Sequence, residues 1–261
     1  MLGRHHLLLS LFTATAIMLF FLNSNTQLIV FILIGVAIGS LMPDADSTDA
    51  AIFHSHVKIS GGLGNVINAI IGPILPAFGW VTRWMIYKPA LFVSDNTFLK
   101  KYHIQEHHRG FLHSFLGIGL ATFMIGIYLG IILLIMHSLT WYFLFFLLAY
   151  LFGAFMHLVE DSCTVTGIQF NYPFSNQIVK GKLITRPELA KDPDRFTSVM
   201  GVFVVAIFFS MSYFNALPKA LLPILAILLV VIAWAVFLKF VAKIEFVRGE
   251  LQTYSNVKSL L

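Results

Sequence analysis

The sequence predicts an all-α polytopic membrane protein, with about six transmembrane helices and a metal site at the cytoplasmic end of the first four. Three observations carry that prediction. The first is composition: of 261 residues, 58% are hydrophobic, 15% aromatic and only 11% charged, against about 25% charged in ordinary soluble domains. Mean hydropathy is +0.86. So much apolar surface cannot be hidden in one soluble core of this size. The second is a series of apolar runs. The third is the one-sided distribution of charge between them.

The runs are taken in order. Residues 7–22 and 27–42 are apolar but short, at 16 residues each, against the ~17–25 a spanning helix needs. They can thin the bilayer or form a hairpin that crosses only partly. Residues 66–87 are apolar but carry Gly72, Pro73, Pro76 and Gly79. Pro and Gly interrupt the helix ladder, so this run reads as a broken interfacial or re-entrant element. Residues 111–136, 141–158, 197–217 and 219–242 are long enough to span. Two parts follow: a metal-binding membrane domain over 1–196, including the 43–110 connection, and a C-terminal transmembrane hairpin with a short cytoplasmic tail over 197–261.

Two kinds of connection separate the runs. Asn23–Thr26, His137–Thr140 and the Pro218-Lys219 turn are tiny. The connections 43–110 and 159–196 hold nearly all the polar chemistry. Sixteen of the seventeen Lys and Arg lie on one side, with Lys219 the exception. All twelve Asp and Glu lie there too, and nine of ten His, with His137 the exception. The positive-inside rule places that side in the cytoplasm. The net charge of +5 is therefore read as topology, and no nucleic-acid partner is expected. Cys163 is the single cysteine, so it can form no internal disulfide or thiolate metal site alone. No cleavable signal is expected, and the first helix is read as a retained anchor.

Four segments carry the chemistry. Gly3 to Ser10 opens the first helix with Arg4-His5-His6. Met42-Pro43-Asp44-Ala45-Asp46 closes the second. His107-His108-Arg109-Gly110-Phe111-Leu112-His113-Ser114 opens the third, and His157-Leu158-Val159-Glu160-Asp161 closes the fourth. Chain direction alternates with each crossing, so these four ends share one membrane face if 66–87 does not cross. Scattered polar residues have no reason to land there together.

Imidazole nitrogen and carboxylate oxygen ligate zinc at about 2.0–2.2 Å. His157 and Asp161, at i and i+4, share a helical face. Asp44 and Asp46 flank one residue of a turn. His108 and His113 bracket a helix start, where Gly110 lets the backbone bend. The candidate ligands are His6, Asp44, Asp46, His108, His113, His157 and Asp161. Seven exceed the needs of one tetrahedral ion and suggest two or three, Zn2+ or alternatively Mn2+ or Fe2+, as suits phosphoester chemistry.

Each piece also has a plainer reading. Asp44 or Asp46 can cap a helix, and His108-Arg109 can face headgroups. His5 reads as a solvated neighbour of His6. His54 and His56, like His103 and His107, are loop-surface or helix-face histidines as readily as ligands. Glu106 and Glu160 read as supporting or solvated acids. The common face of the four segments is what these readings leave unexplained.

The order and spelling of the segments resemble the YdjM-type family of membrane-bound metal-dependent hydrolases. That family shows a G-x-H-L-L start, L-P-D-x-D, H-R-G-x-T-H-S, and H-x-x-x-D followed by T-x-x-G and a Pro. The counterparts are Arg4-His5-His6-Leu7-Leu8, Met42-Pro43-Asp44-Ala45-Asp46, His108 to Ser114, and His157 to Asp161 with Thr164, Gly167 and Pro173. The likeness covers about residues 3–175. It departs at Ser47, where members often carry His, and at Leu112, where Thr is usual. The 43–110 connection also looks long for the family. At the level of pattern alone, the His/Asp order is similar to that of soluble zinc phospholipase C and single-strand nucleases.

The expected activity is hydrolysis of a phosphoester bond in a membrane lipid or lipid-linked substrate by metal-activated water. Arg109 is expected to steady the phosphoryl oxygens, with Asp46 or Glu160 as base. The expected location is the plasma (cytoplasmic) membrane, with the site facing the cytoplasm. Two readings compete: a metal-binding scaffold or regulator without catalysis, and a metal-ion transporter. A transporter would favour ligands near the bilayer midplane on broken helices, and these stand at helix ends.

Overall fold

The computed structural model describes residues 1–18, 26–59, 61–97, 100, 104, 108–185, 190–213 and 221–248. Helices dominate: α1 (Gly3–Ile17), α2 (Thr26–Gly39), α3 (Gly61–Ile71), α4 (Leu75–Val81), α5 (Lys88–Asn96), α6 (Phe115–Ile135), α7 (Tyr142–Ser162), α8 (Lys191–Tyr213) and α9 (Leu221–Val236). Strand β1 (Gln177–Lys180) pairs antiparallel with β2 (Glu245–Arg248), Gln177 opposite Arg248 and Lys180 opposite Glu245. This small sheet corrects the all-α expectation. It forms because the chain turns at Lys243, in the left-handed region at φ 50, and runs back along the loop after α7.

Three helices are long and apolar enough to cross a membrane among the described residues: Phe115–Ile135, Tyr142–Ser162 and Pro223–Ala242. Twenty-one residues at about 1.5 Å each match the ~30 Å hydrocarbon core. A fourth span arises if Gly61–Ile71 and Leu75–Asn96, bent by 54°, count as one. The bend falls at Gly72-Pro73, where the sequence carries its helix breakers. Among the described residues three or four spans are therefore found against the six expected, and the 197–217 run extends beyond those residues. Helices α1 and α2 have 15 and 14 residues, too short for a full crossing. The turns expected at Asn23–Thr26 and Pro218-Lys219 fall largely outside the described residues. Exposed apolar faces suit lipid: Phe123, Ile131 and Ile135 on α6, and Ile224, Leu228 and Val231 on α9, are all solvent-accessible.

The core of the assembly is the contact between α2 and α7. Its cause is glycine. A Cβ at Gly39 would collide with the Tyr150 carbonyl, and one at Gly153 with the Val36 carbonyl. Small residues let backbones approach closely where no hydrophobic effect drives helices together. This approach sets Ser40, just past α2, against His157 on α7.

The C-terminal helices pack on α1. Leu9, Ala16, Met156, Met200, Val230 and Trp234 share one apolar cluster, and Trp234 Nε1 donates to Thr13 Oγ1 at 3.0 Å. The sequence boundary between 196 and 197 falls inside α8.

Candidate metal centre

Four chain ends meet around one point. The first turn of α1 brings His6. A 3-10 turn, Pro43–Asp46, brings Asp44 and Asp46. Pro43 suits its start, since the ring fixes φ and no N–H is needed there. A second 3-10 turn, Phe111–His113, brings His113. Ser114 then caps α6, its Oγ accepting from Gly117 N at 3.0 Å, so the helix start holds His113 in place. The last turns of α7 bring His157, Glu160 and Asp161.

The three buried imidazoles each have an oxygen near Nδ1, but only one is hydrogen-bonded there. His157 Nδ1 donates to the Ser40 carbonyl at 2.7 Å, which leaves its Nε2 lone pair facing the centre. His113 Nδ1 lies 3.1 Å from Asp46 Oδ2 and His6 Nδ1 lies 2.8 Å from Glu160 Oε2, and neither pair has hydrogen-bond geometry. His157 Nε2 and His113 Nε2 are 3.2 Å apart. Asp44 Oδ1 is 3.6 Å from both. Asp161 Oδ2 is 3.6 Å from His113 Nε2 and 3.7 Å from His157 Nε2. His6 Nε2 is 3.4 Å from Asp161 Oδ1, and the His6 ring stacks on His157 with centroids 3.7 Å apart.

These separations fit metal ligation. Two ligands about 2.0–2.2 Å from one ion at a tetrahedral angle lie about 3.3–3.6 Å apart. Three overlapping groups have ligand atoms within 4.8 Å of one another: His6, Asp44 and His157; Asp44, His108 and His113; and His113, His157 and Asp161. His108, 51% exposed, opens the centre to solvent.

The electrostatics agree. Burial alone would raise the Asp46 carboxyl, but His113 and His108 beside it bring it down to about 2. Asp44 is likewise driven well below the usual carboxylate range, because His157, His113 and His6 outweigh its burial. Burial alone would lower His113, yet Asp46, Asp44 and Asp161 push it up to about 9. Carboxylates and imidazoles therefore face one another here, with Arg109 and the Met1 amine also set against Asp161.

Six of the seven expected ligands thus come together. Asp46 does not join the groups. Its Oδ1 takes His108 Nδ1 at 2.9 Å and its Oδ2 takes the Arg109 backbone N–H at 2.9 Å, with His113 Nδ1 3.1 Å away. It stands behind two rings. Glu160 is fully buried behind His6, with Ser10 Oγ donating to its Oε1 at 3.3 Å. Arg109, at φ 66, turns inward: Nη2 donates to Asp161 Oδ1 at 3.1 Å, Nη1 to Thr164 Oγ1 at 2.7 Å and to Thr166 Oγ1. The Met1 amine also meets Asp161 Oδ1.

Other expectations fare differently. His5 is not solvated but 1% exposed, held by Asp194. His54 and His56 are exposed and belong to none of the three groups. His103, Glu106 and His107 lie outside the described residues.

Arg83 was not singled out in the sequence. Its Nη1 donates to the Ala45 carbonyl at 3.1 Å and the Asp46 carbonyl at 2.8 Å, clamping the turn that carries Asp44 and Asp46. The available signal was a lone Arg in an apolar run.

The family model described as YdjM inner membrane protein matches residues 1–243. The chain belongs to the YdjM inner membrane protein family. Together with its apolar helices, that makes it an integral membrane protein. No curated protein and no solved structure matches the chain. Within this YdjM family member, the match reaches past the four motif segments and across α8 and α9.

Proposed function

We propose that this chain is a metal-dependent hydrolase of phosphoester bonds in a membrane lipid or lipid-linked substrate, with its centre facing the cytoplasm. One observation carries the metal reading: His157, with Nδ1 donating to the Ser40 carbonyl, turns Nε2 to within 3.2–3.7 Å of His113 Nε2, Asp44 and Asp161. Ligating histidines generally have such partners, which fix the tautomer and ring orientation. His6, Asp44, His113, His157 and Asp161 would hold the ions, with His108 on the open side. A zinc, manganese or iron ion supplies a water of lowered pKa and draws charge from a phosphoryl oxygen.

The chain's own residues do the rest. Asp46 bonds the ring of His108 and lies against His113, and Glu160 lies against His6. Both are positioning residues in this reading, which replaces the expectation that one acts as base. Arg109 balances the charge of Asp161. A guanidinium has five N–H donors, and those not engaged by Asp161, Thr164 and Thr166 are assigned to phosphoryl oxygens. The ligands come from helix ends, at the level where headgroups concentrate, which favours a lipid substrate. Sixteen of seventeen Lys and Arg on that side support the cytoplasmic orientation.

The test is turnover by metal-loaded protein in lipid nanodiscs, offered phosphatidic acid, a prenyl phosphate and a soluble phosphodiester. The expected result is release of a phosphoester product that needs metal and is lost in His157→Ala. Bound metal with no turnover of any substrate would favour a metal-clamped scaffold instead.

A further inference from the structure

A second cluster of charged and titratable side chains lies on the other side of α1. Consecutive residues on a helix point about 100° apart. His6 faces α7 and the centre, while Arg4, His5 and Leu8 face α8 and the segment before α3. They line a cavity of about 280 Å³ with Lys58, Ile59, Asp194, Thr197 and Ser198. A single water needs only about 10–15 Å³ of such space.

The charges in this cavity are unequal. Asp194 is its one acid among the described residues. His5 Nε2 is 2.7 Å from Asp194 Oδ1, and Arg4 Nη2 is 3.0 and 3.3 Å from Oδ1 and Oδ2. Both of its oxygens are therefore engaged by the cavity wall. Lys58 is exposed and has no ion-pair partner among the described residues. Arg4 keeps guanidinium donors beyond those it gives to Asp194. His5 is buried, with an Nδ1 that has no hydrogen-bond partner. Thr197 and Ser198 donate to the backbone carbonyls of Pro193 and Asp194, so Arg4 and Lys58 are the cavity's free donors. Leu8 and Ile59 add apolar surface beneath the cations.

We propose that the cavity between the first turn of α1, Lys58 and the start of α8 is a phosphate-binding subsite, in which Arg4 and Lys58 hold the anion and Leu8 and Ile59 contact the carbon next to it. The ligand is a phosphate group, carried by a lipid headgroup or free in solution. A guanidinium and an ammonium suit phosphate, one as a planar fork and one as a point charge. The site needs no metal and does not rest on the hydrolase reading.

The test uses the full chain in phosphatidylcholine nanodiscs, with metal removed by chelation. Two probes are applied: inorganic phosphate by titration calorimetry, and phosphatidic acid doped into the discs, counted as retained adducts by native mass spectrometry. The variants are Lys58→Gln, whose exposed side chain has no partner to lose, and Arg4→Gln. Binding of either probe, weakened about tenfold or more in both variants, is the expected result, since a charge-assisted hydrogen bond is worth that much. Retention of phosphatidic acid alone identifies a lipid headgroup, and binding of phosphate alone a soluble ester. Metal uptake on reloading stays at the wild-type level in both variants. The proposal is overturned if neither probe binds, if both variants bind as wild type does, or if phosphate binds only after metal is restored.

Discussion

His157 Nδ1 donates to the Ser40 carbonyl at 2.7 Å, across the close, glycine-lined contact of α2 with α7. The bond turns His157 Nε2 toward Asp44, His113 and Asp161. It depends on how closely α2 approaches α7, and therefore on Gly39 and Gly153. A methyl group at Gly153 meets the Val36 carbonyl and the Ser40 amide. Gly153→Ala is expected to cost about 1–3 kcal/mol, as overpacking does, and to weaken metal binding by moving the Ser40 carbonyl. Thermal unfolding in detergent and metal titration check both effects. A variant with unchanged metal affinity would separate the glycine contact from the centre.

Glu160 is buried behind His6, 2.8 Å from Nδ1. Removing a carboxylate behind a ligating histidine typically costs 10–100-fold in metal affinity or activity. Glu160→Ala is expected to lose affinity on about that scale while still inserting and folding. Wild-type zinc affinity in the variant would show that Glu160 does not set the ring of His6.

Much of this centre is legible in the sequence, for a physical reason. Alternating chain direction puts the ends of successive helices on one face, so His6, Asp44, His113, His157 and Asp161 can be brought together by counting crossings. The spacing of His157 and Asp161 fixes their shared helical face. What sequence does not carry is which atom stands behind which. Ser40 contributes a backbone carbonyl, and any residue type has one. Asp46 and Asp44 look equivalent two residues apart, yet the 3-10 turn sends one behind the rings and the other to the centre. His5 reads as solvated because its partner, Asp194, lies 189 residues away. The short α1 and α2 match the two runs read as too short for a full crossing.

Arg83 clamps the Pro43–Asp46 turn through two backbone carbonyls. Hydrogen bonds to a charged group are worth about 1.5–3 kcal/mol each. Arg83→Met keeps the apolar stem and removes both bonds, so it is expected to lower thermal stability and to loosen Asp44. The check is a lower melting temperature together with weaker metal binding, against a control substitution at exposed Asp49.

The pH dependence of metal binding follows from His113. Its folded pKa is raised from 6.5 to about 9 by Asp46 and Asp44 despite burial. In metal-free protein, the stability from this proton is fully present below about 6.5 and is lost as pH rises through about 9. The proton must leave for Nε2 to ligate, so metal binding releases it. Affinity is expected to rise about tenfold per pH unit below 9 where this proton alone is displaced, and to level off above. Zinc titration across that window checks it, and a flat profile would contradict a protonated His113.

The most direct measurement is metal content. Detergent-purified protein is analysed for zinc, manganese and iron beside a His157→Ala/Asp161→Ala double variant, each before and after reloading. The arrangement of Nε2 atoms and carboxylates around one point predicts bound metal in the wild type, two or more equivalents after reloading, lost in the double variant. No bound metal in the reloaded wild type, or equal metal in the variant, would contradict it.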